Sequence, residues 1–295
     1  MFKILSFSNP PRSNLCFSNA VLSLLLNIPN LVNIISNKNE EANLKSKSNE
    51  ITKELINLIR KPQYSRQSTQ RLRTIVKMKC FKEGQMTRNF NDKKQHDAGE
   101  FLSSLFEHLF KETMLPLNFD EQIFGGLMQE KIICHCGAVK DLPIQKLPEV
   151  WTLQMVGSTI QSCINSYFTN EDILFDCEGC RKPTTTKKIN LIVEPSTLII
   201  QLKRYEFDVI HQKCLKKHNS IVCPTSVSLP NGSSYTLCSV INHGGSSPEN
   251  GHYTLSLYDA ETNSFILLDD AKIDYSCLMN EDMGRLSYIV TYTKS

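Results

Sequence analysis

The chain has 295 residues, with 33 Lys and Arg against 30 Asp and Glu, a formal charge of +3 at pH 7. Forty per cent of the residues are hydrophobic and 21% charged, a folded globular composition that excludes a disordered chain. So small a charge gives no reason to expect nucleic acid or an anionic membrane surface as the main partner. The apolar stretches, such as Val21–Leu26, are too short to span a bilayer. The opening MFKILSFSNPPRSN has neither an apolar signal core nor a small-residue cleavage site. The expectation is a soluble protein of the cytoplasm or nucleus, with no targeting domain ahead of Cys16.

The first predicted element is a helix starting at Cys16, where a Pro-rich extended segment ends. Phe17, Val21, Leu24, Leu25 and Ile28 give it an apolar face, and Pro29 stops it. A polar stretch over Asn37–Asn49, expected to be mobile, leads into a second amphipathic helix marked by Ile51, Leu55, Leu58 and Ile59. Tyr64–Gln85 is basic and reads as irregular. The third helix is the clearest: Ala98, Phe101, Leu102, Leu105, Phe106, Leu109 and Phe110 form one stripe after Gln95. From about residue 122 the texture changes to short strands and turns, punctuated by Gly125–Gly126, Cys136–Gly137 and Cys177–Cys180. Strands follow at Leu198–Leu202, Tyr235–Ile241, His252–Tyr258, Phe265–Leu268 and Ser287–Tyr292. Helices first and strands later predict an α+β fold. No repeat or long linker divides the chain, so 1–295 reads as one domain.

The chemistry-bearing residues sharpen this. There are 11 cysteines, an odd number in a chain with no secretory signal. Metal ligation or a reactive thiol is therefore a better default than a disulfide framework. Four fall into two close pairs, Cys134-His135-Cys136 and Cys177-Glu178-Gly179-Cys180, and suit a structural tetrahedral zinc that pins two hairpins. Cys16 lies at a helix N-terminus, where the macrodipole favours a thiolate. A nucleophile also needs a base and a group to orient that base. His252 sits in Asn-Gly-His-Tyr at the start of a strand, and Asp269–Asp270 end the next one. Adjacent antiparallel strands would set His252 beside Asp269. Taken singly, each of these residues has a structural reading as well.

Four ordered blocks carry a resemblance. Asn14-Leu15-Cys16-Phe17-Ser18-Asn19 resembles the cysteine box of the ubiquitin-specific protease family, the papain-like cysteine deubiquitinases. Gln95-His96-Asp97-Ala98-Gly99-Glu100-Phe101-Leu102 resembles its Gln-Asp-Ala-x-Glu-Phe block. Pro195–Tyr205, ending Leu202-Lys203-Arg204-Tyr205, resembles its Leu-Lys-Arg-Phe strand. Tyr235-Thr236-Leu237, His243-Gly244, Gly251-His252-Tyr253 and Leu268-Asp269-Asp270 together resemble its histidine box. The likeness runs from about residue 14 to 292.

The resemblance implies a papain-like fold with thumb (about 1–115), zinc-bearing fingers (about 120–190) and palm (about 191–295). It implies a thiol-dependent ubiquitinyl hydrolase acting after the C-terminal glycine of ubiquitin through a thioester. Cys16 would be nucleophile, His252 general base and Asp269 its orienting partner, with Asn14 and Asp270 in support. Asp97 and Glu100 would meet the arginines of the ubiquitin tail, which favours ubiquitin over SUMO, and His243 and Tyr253 would line the channel. Cys134, Cys136, Cys177 and Cys180 would hold structural Zn²⁺, and no organic cofactor is needed. Ubiquitin and ubiquitinated proteins are the expected partners of a monomer, with no nucleic acid and no membrane. His243-Gly244-Gly245 and Ser246–Asn250 resemble a flexible gate.

The sequence also departs from the family. Pro11 stands where an Asn usually donates to the oxyanion, and Ser13 and Leu15 replace a Gly and a Thr. Asn14, the Cys16 amide and Asn9 are the remaining candidate donors. The first cysteine pair is C-x-C where the family has C-x-x-C, Ile133 occupying the earlier position and His135 being an alternative ligand. The rival readings are a protease for SUMO or NEDD8 and an inactive ubiquitin-binding pseudoenzyme. A nucleic-acid-binding zinc protein lacks the concentrated basic face it would need.

Overall fold

A computed structural model describes residues 2, 4–5, 7–36, 49–62, 65–85, 88–90, 94–112, 123–247, 250–277 and 281–295. The polar stretch at 37–48 and residues 248–249 of the expected gate lie outside them. Helix α1 (Cys16–Leu25) is not amphipathic: all ten residues are buried, Ser18, Asn19 and Ser23 included. A helix covered on every side belongs in the middle of a core. Pro29 does not simply end it. The chain turns by 78° and Pro29 opens helix α2 (Pro29–Ser36), a first-turn position where its missing N–H costs nothing. No single helix among the described residues is long and apolar enough to cross a membrane.

Helix α3 (Glu50–Arg60) buries Ile51, Leu55 and Leu58 as its periodicity predicts, with Ile56 buried as well and Ile59 only half-buried. Its first-turn amides at Ile51 and Thr52 donate to the Glu112 carboxylate at 2.9 and 2.8 Å. The segment expected to be irregular is instead the 18-residue helix α4 (Ser65–Lys82). Its buried stripe is Ser68, Leu72, Val76 and Cys80, four apart, with Thr69 and Arg73 beside it. Half of that stripe is small or polar, so a hydrophobic pattern does not reveal it. Helix α5 (Ala98–Leu109) is capped by Asp97, whose Oδ1 accepts the Glu100 amide at 2.9 Å.

The strands form two sheets and a ribbon. Strands β1 (Leu127–Cys134), β2 (Val139–Lys146), β4 (Glu171–Leu174) and β5 (Thr184–Val193) make a sheet in the order β2-β1-β5-β4. The larger sheet runs β13-β12-β11-β10-β14-β6-β3, and β9 (Ser226–Ser228) pairs with β10. Its members are β3 (Trp151–Leu153), β6 (Thr197–Leu202), β10 (Ser234–Ser247), β11 (Asn250–Asp259), β12 (Ser264–Asp269), β13 (Lys272–Cys277) and β14 (Ser287–Lys294). Strands β7 (Tyr205–Asp208) and β8 (Lys213–Lys216) form the ribbon. Helix α6 (Ile160–Tyr167) lies between β3 and β4 in sequence, and α7 (Glu281–Leu286) precedes β14.

The large sheet is buried on both faces, so its strands read as apolar runs rather than clean alternations. Along β6, Ile199 joins the core containing α1, while Leu198, Ile200 and Leu202 face the core containing α6. Likewise β14 sends Ile289 to the first core and Val290 and Tyr292 to the second. Helix α1 packs on β10, β11 and β12, with α4 and α5 also against it. This delivers the N-terminus of α1 to the sheet face where β11 and β12 begin and end.

Candidate active site

Cys16 is the first residue of α1 and its side chain is buried. The preceding Leu15 offers no side-chain cap to the first turn. The β11–β12 register pairs Leu255 with Leu268, and one step further sets Asp269 opposite Thr254. His252 is two residues from Thr254, on the same face, so Asp269 is its diagonal neighbour. Their side chains meet: His252 Nε2 lies 2.5 Å from Asp269 Oδ1. This leaves Nδ1 free to face the thiol of Cys16, whose interaction with His252 is the largest influence on the ring's charge. The Cys16 contact and then Asp269 overcome partial burial and push the His252 pKa up to about 9.

Asp270 serves a different purpose. Its Oδ1 accepts the Asn19 amide of α1 at 2.7 Å and its Oδ2 the Asn9 amide at 2.7 Å. Its backbone carbonyl accepts from Phe7 N–H, and it remains 4.0 Å from His252 Nε2. Asn9 Oδ1 accepts from Leu15 N–H at 3.0 Å and Ser13 Oγ at 2.9 Å. The end of β12 and the loop before Cys16 are thereby tied together. That loop and the strand end hold Arg12, Asn14 and Asp270 at φ of 66°, 51° and 52°, left-handed positions that Asn and Asp tolerate best.

The four paired cysteines also converge. Cys134 Sγ lies 3.5 Å from Cys180 Sγ, and Cys136 Sγ 3.7 Å from Cys177 Sγ. All four sulfurs fall within 4.8 Å of one another. Four thiolates about 2.3 Å from a tetrahedral zinc are about 3.8 Å apart, so the donor set fits that ion. Both of these contacts join one hairpin to the other. Gly137, at φ of 89°, closes the turn that lets the C-x-C pair chelate. Amides of Cys180 and Gly179 point at Cys177 and hold its thiol down to about 7. His135 is not part of the cluster.

Against known proteins, residues 11–292 match the model of the ubiquitin carboxyl-terminal hydrolase family. The chain belongs to the ubiquitin carboxyl-terminal hydrolase family. A relative from Drosophila grimshawi, ubiquitin carboxyl-terminal hydrolase 36, is 30% identical over 295 residues, covering 88% of this chain. The chain spans 23% of that relative's length. Among solved structures, the SAGA DUB module Ubp8/Sgf11/Sus1/Sgf73 bound to monoubiquitin superposes with a TM-score of 0.81 at 18% identity. That match covers 99% of this chain and 69% of the other. The same module bound to ubiquitin aldehyde gives 0.80 at 18% identity, covering 99% and 70%. The fold is thus the α+β deubiquitinase fold of this family, and the cysteine cluster sits where it bears on a finger-like sheet.

Of the four residues expected to meet the substrate, Asp97, His243 and Tyr253 are engaged inside the protein and Glu100 reaches the surface. Asp97 spends Oδ1 on its helix cap, and its Oδ2 accepts Tyr288 OH at 2.7 Å and Tyr253 OH at 3.3 Å. Both oxygens face inward, because two buried hydroxyls need an acceptor. Glu100 is half-exposed but already paired with Arg88 at 3.2 Å. His243 and Tyr253 are 0% and 2% exposed, so neither presents a surface to a ligand. Their rings pack with centroids 4.4 Å apart, and Tyr205 OH lies 2.6 Å from His243 Nδ1. Burial first, then the charges of Lys216 and His252, push the His243 pKa down to about 4.

Other contributors went unassigned by pattern alone. Lys216 on β8 is buried and donates to the carbonyls of His243 and Gly245 at 2.6 and 3.1 Å. Gln95 bonds both backbone groups of Gly251, the residue before His252. Arg73 on α4 reaches Ser18 Oγ at 3.2 Å, and Ser18 Oγ in turn donates to the Leu15 carbonyl at 2.9 Å. Gln95 lies inside a family block, which was the available signal. For Lys216 and Arg73 there was none, since a basic residue in sequence gives no sign of burial.

Proposed function

We propose that this chain is a cysteine-dependent deubiquitinase that cleaves the isopeptide or peptide bond after the C-terminal glycine of ubiquitin. The observation that carries the reading is a histidine held 2.5 Å from Asp269 by Nε2 and raised in pKa first of all by Cys16, the first residue of α1. His252 takes the thiol proton, and the Cys16 sulfur attacks the glycine carbonyl carbon. His252 then gives that proton to the departing lysine amine, leaving a thioester on Cys16. Water attacks the thioester with His252 as base, releasing the glycine carboxylate and restoring the thiol. Asp269 fixes the ring orientation throughout.

Pro11 supplies no oxyanion donor, and other groups take that role in this proposal. The first turn of α1 has no side-chain cap, so its N–H groups point at a developing negative charge. Asn9 uses one amide hydrogen on Asp270 and has a second to offer. Cys134, Cys136, Cys177 and Cys180 would hold structural zinc, which would cross-link the two hairpins and take no part in the chemistry. Thumb, fingers and palm at about 1–115, 120–190 and 191–295 are the subdomains we assign. Ubiquitin is favoured as substrate because the superposing module carries it. Free thiols at ten described cysteines suit the reducing cytosol or nucleus.

Intact mass after reaction with ubiquitin bearing a C-terminal electrophile tests this. A one-to-one adduct lost in Cys16→Ala is expected. An adduct only with a SUMO or NEDD8 probe replaces the substrate, and none from folded protein leaves a binding module.

A further inference from the structure

His252 stands on a part of the sheet that the sheet itself does not hold. The pairing of β11 with β12 starts at Leu255, and the pairing of β10 with β14 stops at Asn242. Beyond those points β10 and β11 continue as a two-stranded extension, with Gly244 opposite His252 and Gly245 opposite Gly251. Two strands alone are marginal in water. The imidazole is 45% exposed and is oriented by Asp269, with Cys16 and the more distant Asp270 beside it, so its placement depends on how its backbone is held.

Both neighbours are held by one short segment. Gln95 Nε2 donates to the Gly251 carbonyl at 2.5 Å, and Gly251 N–H donates to Gln95 Oε1 at 2.6 Å. This is the pair of bonds a third strand would make, supplied by one side-chain amide. Two residues on, Asp97 accepts the Tyr253 hydroxyl. Asp97 is extended, at φ −74° and ψ 129°, so alternate side chains leave opposite sides of the segment. Gln95 and Asp97 reach the residues before and after His252, while His96 turns away between Phe17 and Phe90, at ring distances of 5.2 and 5.3 Å. On its other side Gly251 has no room to move: a Cβ there would meet Gly244 O at 2.3 Å and His243 Nε2 at 2.4 Å.

We propose that Gln95, seconded by Asp97, is the positioning residue of His252, acting as a one-residue strand partner that sets the imidazole against Cys16. This rests on the reaction proposed above and deepens it. Gln95 touches neither the thiol nor the scissile bond; it acts through the Gly251 backbone. Misplacing a reacting group by about 1 Å costs on the order of 10²-fold in rate.

The test compares wild type with Gln95→Leu, similar in size but unable to bond, and Gln95→Glu, which keeps the acceptor and sets a carboxylate against the Gly251 carbonyl. Three readouts are taken: kcat and KM on a ubiquitin C-terminal amide, ubiquitin affinity in a Cys16→Ala background, and the NMR titration of His252. Both variants are expected to lose about 10²-fold in kcat. Affinity should stay within about twofold, and in Gln95→Leu, which adds no charge, the His252 titration should move from near 9 toward 6.5 as its contacts loosen. Unchanged kcat and titration in a folded variant overturn the proposal. Lost ubiquitin affinity with an unmoved titration overturns it too, making Gln95 a substrate contact. The titration needs no ubiquitin. If it shifts while the wild-type chain fails to react with the ubiquitin probe, the positioning role stands and the deubiquitinase reading falls.

Discussion

Helix α1 and strand β2 are held in place by opposite means. Every residue of α1 is buried, whereas seven of the eight residues of β2 are exposed and the eighth is half-exposed. Hydrophobic burial therefore fixes the helix that carries Cys16 and contributes almost nothing to β2. That strand depends on its ladder with β1 and on whatever joins the cysteines at the hairpin ends. The site's precision is a property of the core, and the small sheet is a separately stabilised appendage.

Stripping metal with a strong chelator, or Cys177→Ser, is the harshest way to break this comparison. Structural zinc sites in small peptides contribute on the order of 10 kcal/mol. Amides of β1, β2, β4 and β5 should lose hydrogen-exchange protection while those of α1 keep theirs. Equal protection in that sheet with and without metal would remove zinc from the account. From the other side, Leu22→Ala empties a fully buried position in α1. A loss of about 2–5 kcal/mol in global unfolding is expected, read from the denaturant midpoint at unchanged slope. A much smaller loss would mean that α1 is not the centre of the core.

A gentler lever is pH. His252 is raised to about 9, first by its contact with Cys16 and then by Asp269. A base raised in the folded state stabilises it fully below its ordinary pKa near 6.5, and that contribution fades as pH climbs through 9. The stability difference between wild type and His252→Ala should shrink across that window. A difference that grows with pH would reverse the assignment. The smallest effect is expected from Arg88→Ala. Its pair with Glu100 is partly exposed, so stability should change by no more than about 1 kcal/mol. Freeing Glu100 should show instead in KM for ubiquitin, and an unchanged KM would leave Glu100 without a role at the substrate.

The same contrast explains what could be read in the sequence. α3, α5, β6, β11, β12 and β14 carry continuous apolar patterns and lie where those patterns put them. α4 does not, because Ser68 and Cys80 fill half of its buried stripe. β10 runs on to Ser247 although Gly244-Gly245 has the look of a loop, since close pairing with β11 leaves no room for a side chain at Gly245. At the site, residue type was legible and direction was not. Cys16, His252 and Asp269 are legible through ordered spacing. Asp97 turns inward to accept the hydroxyls of Tyr253 and Tyr288, and His243 packs its ring on Tyr253, contacts visible only in three dimensions.

Arg204, the third residue of the Leu-Lys-Arg-Tyr block, is wholly buried, and no carboxylate among the described residues pairs with it. Its guanidinium donates instead to the carbonyls of Lys217, Asn219, Gly284 and Ser287 and to the Ser287 hydroxyl. Acid protonates carboxylates and salt screens ion pairs, but neither competes for a peptide carbonyl. The end of β6, the segment after β8 and the junction of α7 with β14 are therefore riveted by a charge that acidification cannot release. When the carboxylate contacts around Cys16 and His252 give way at low pH, this corner should be among the last parts of the large sheet to open.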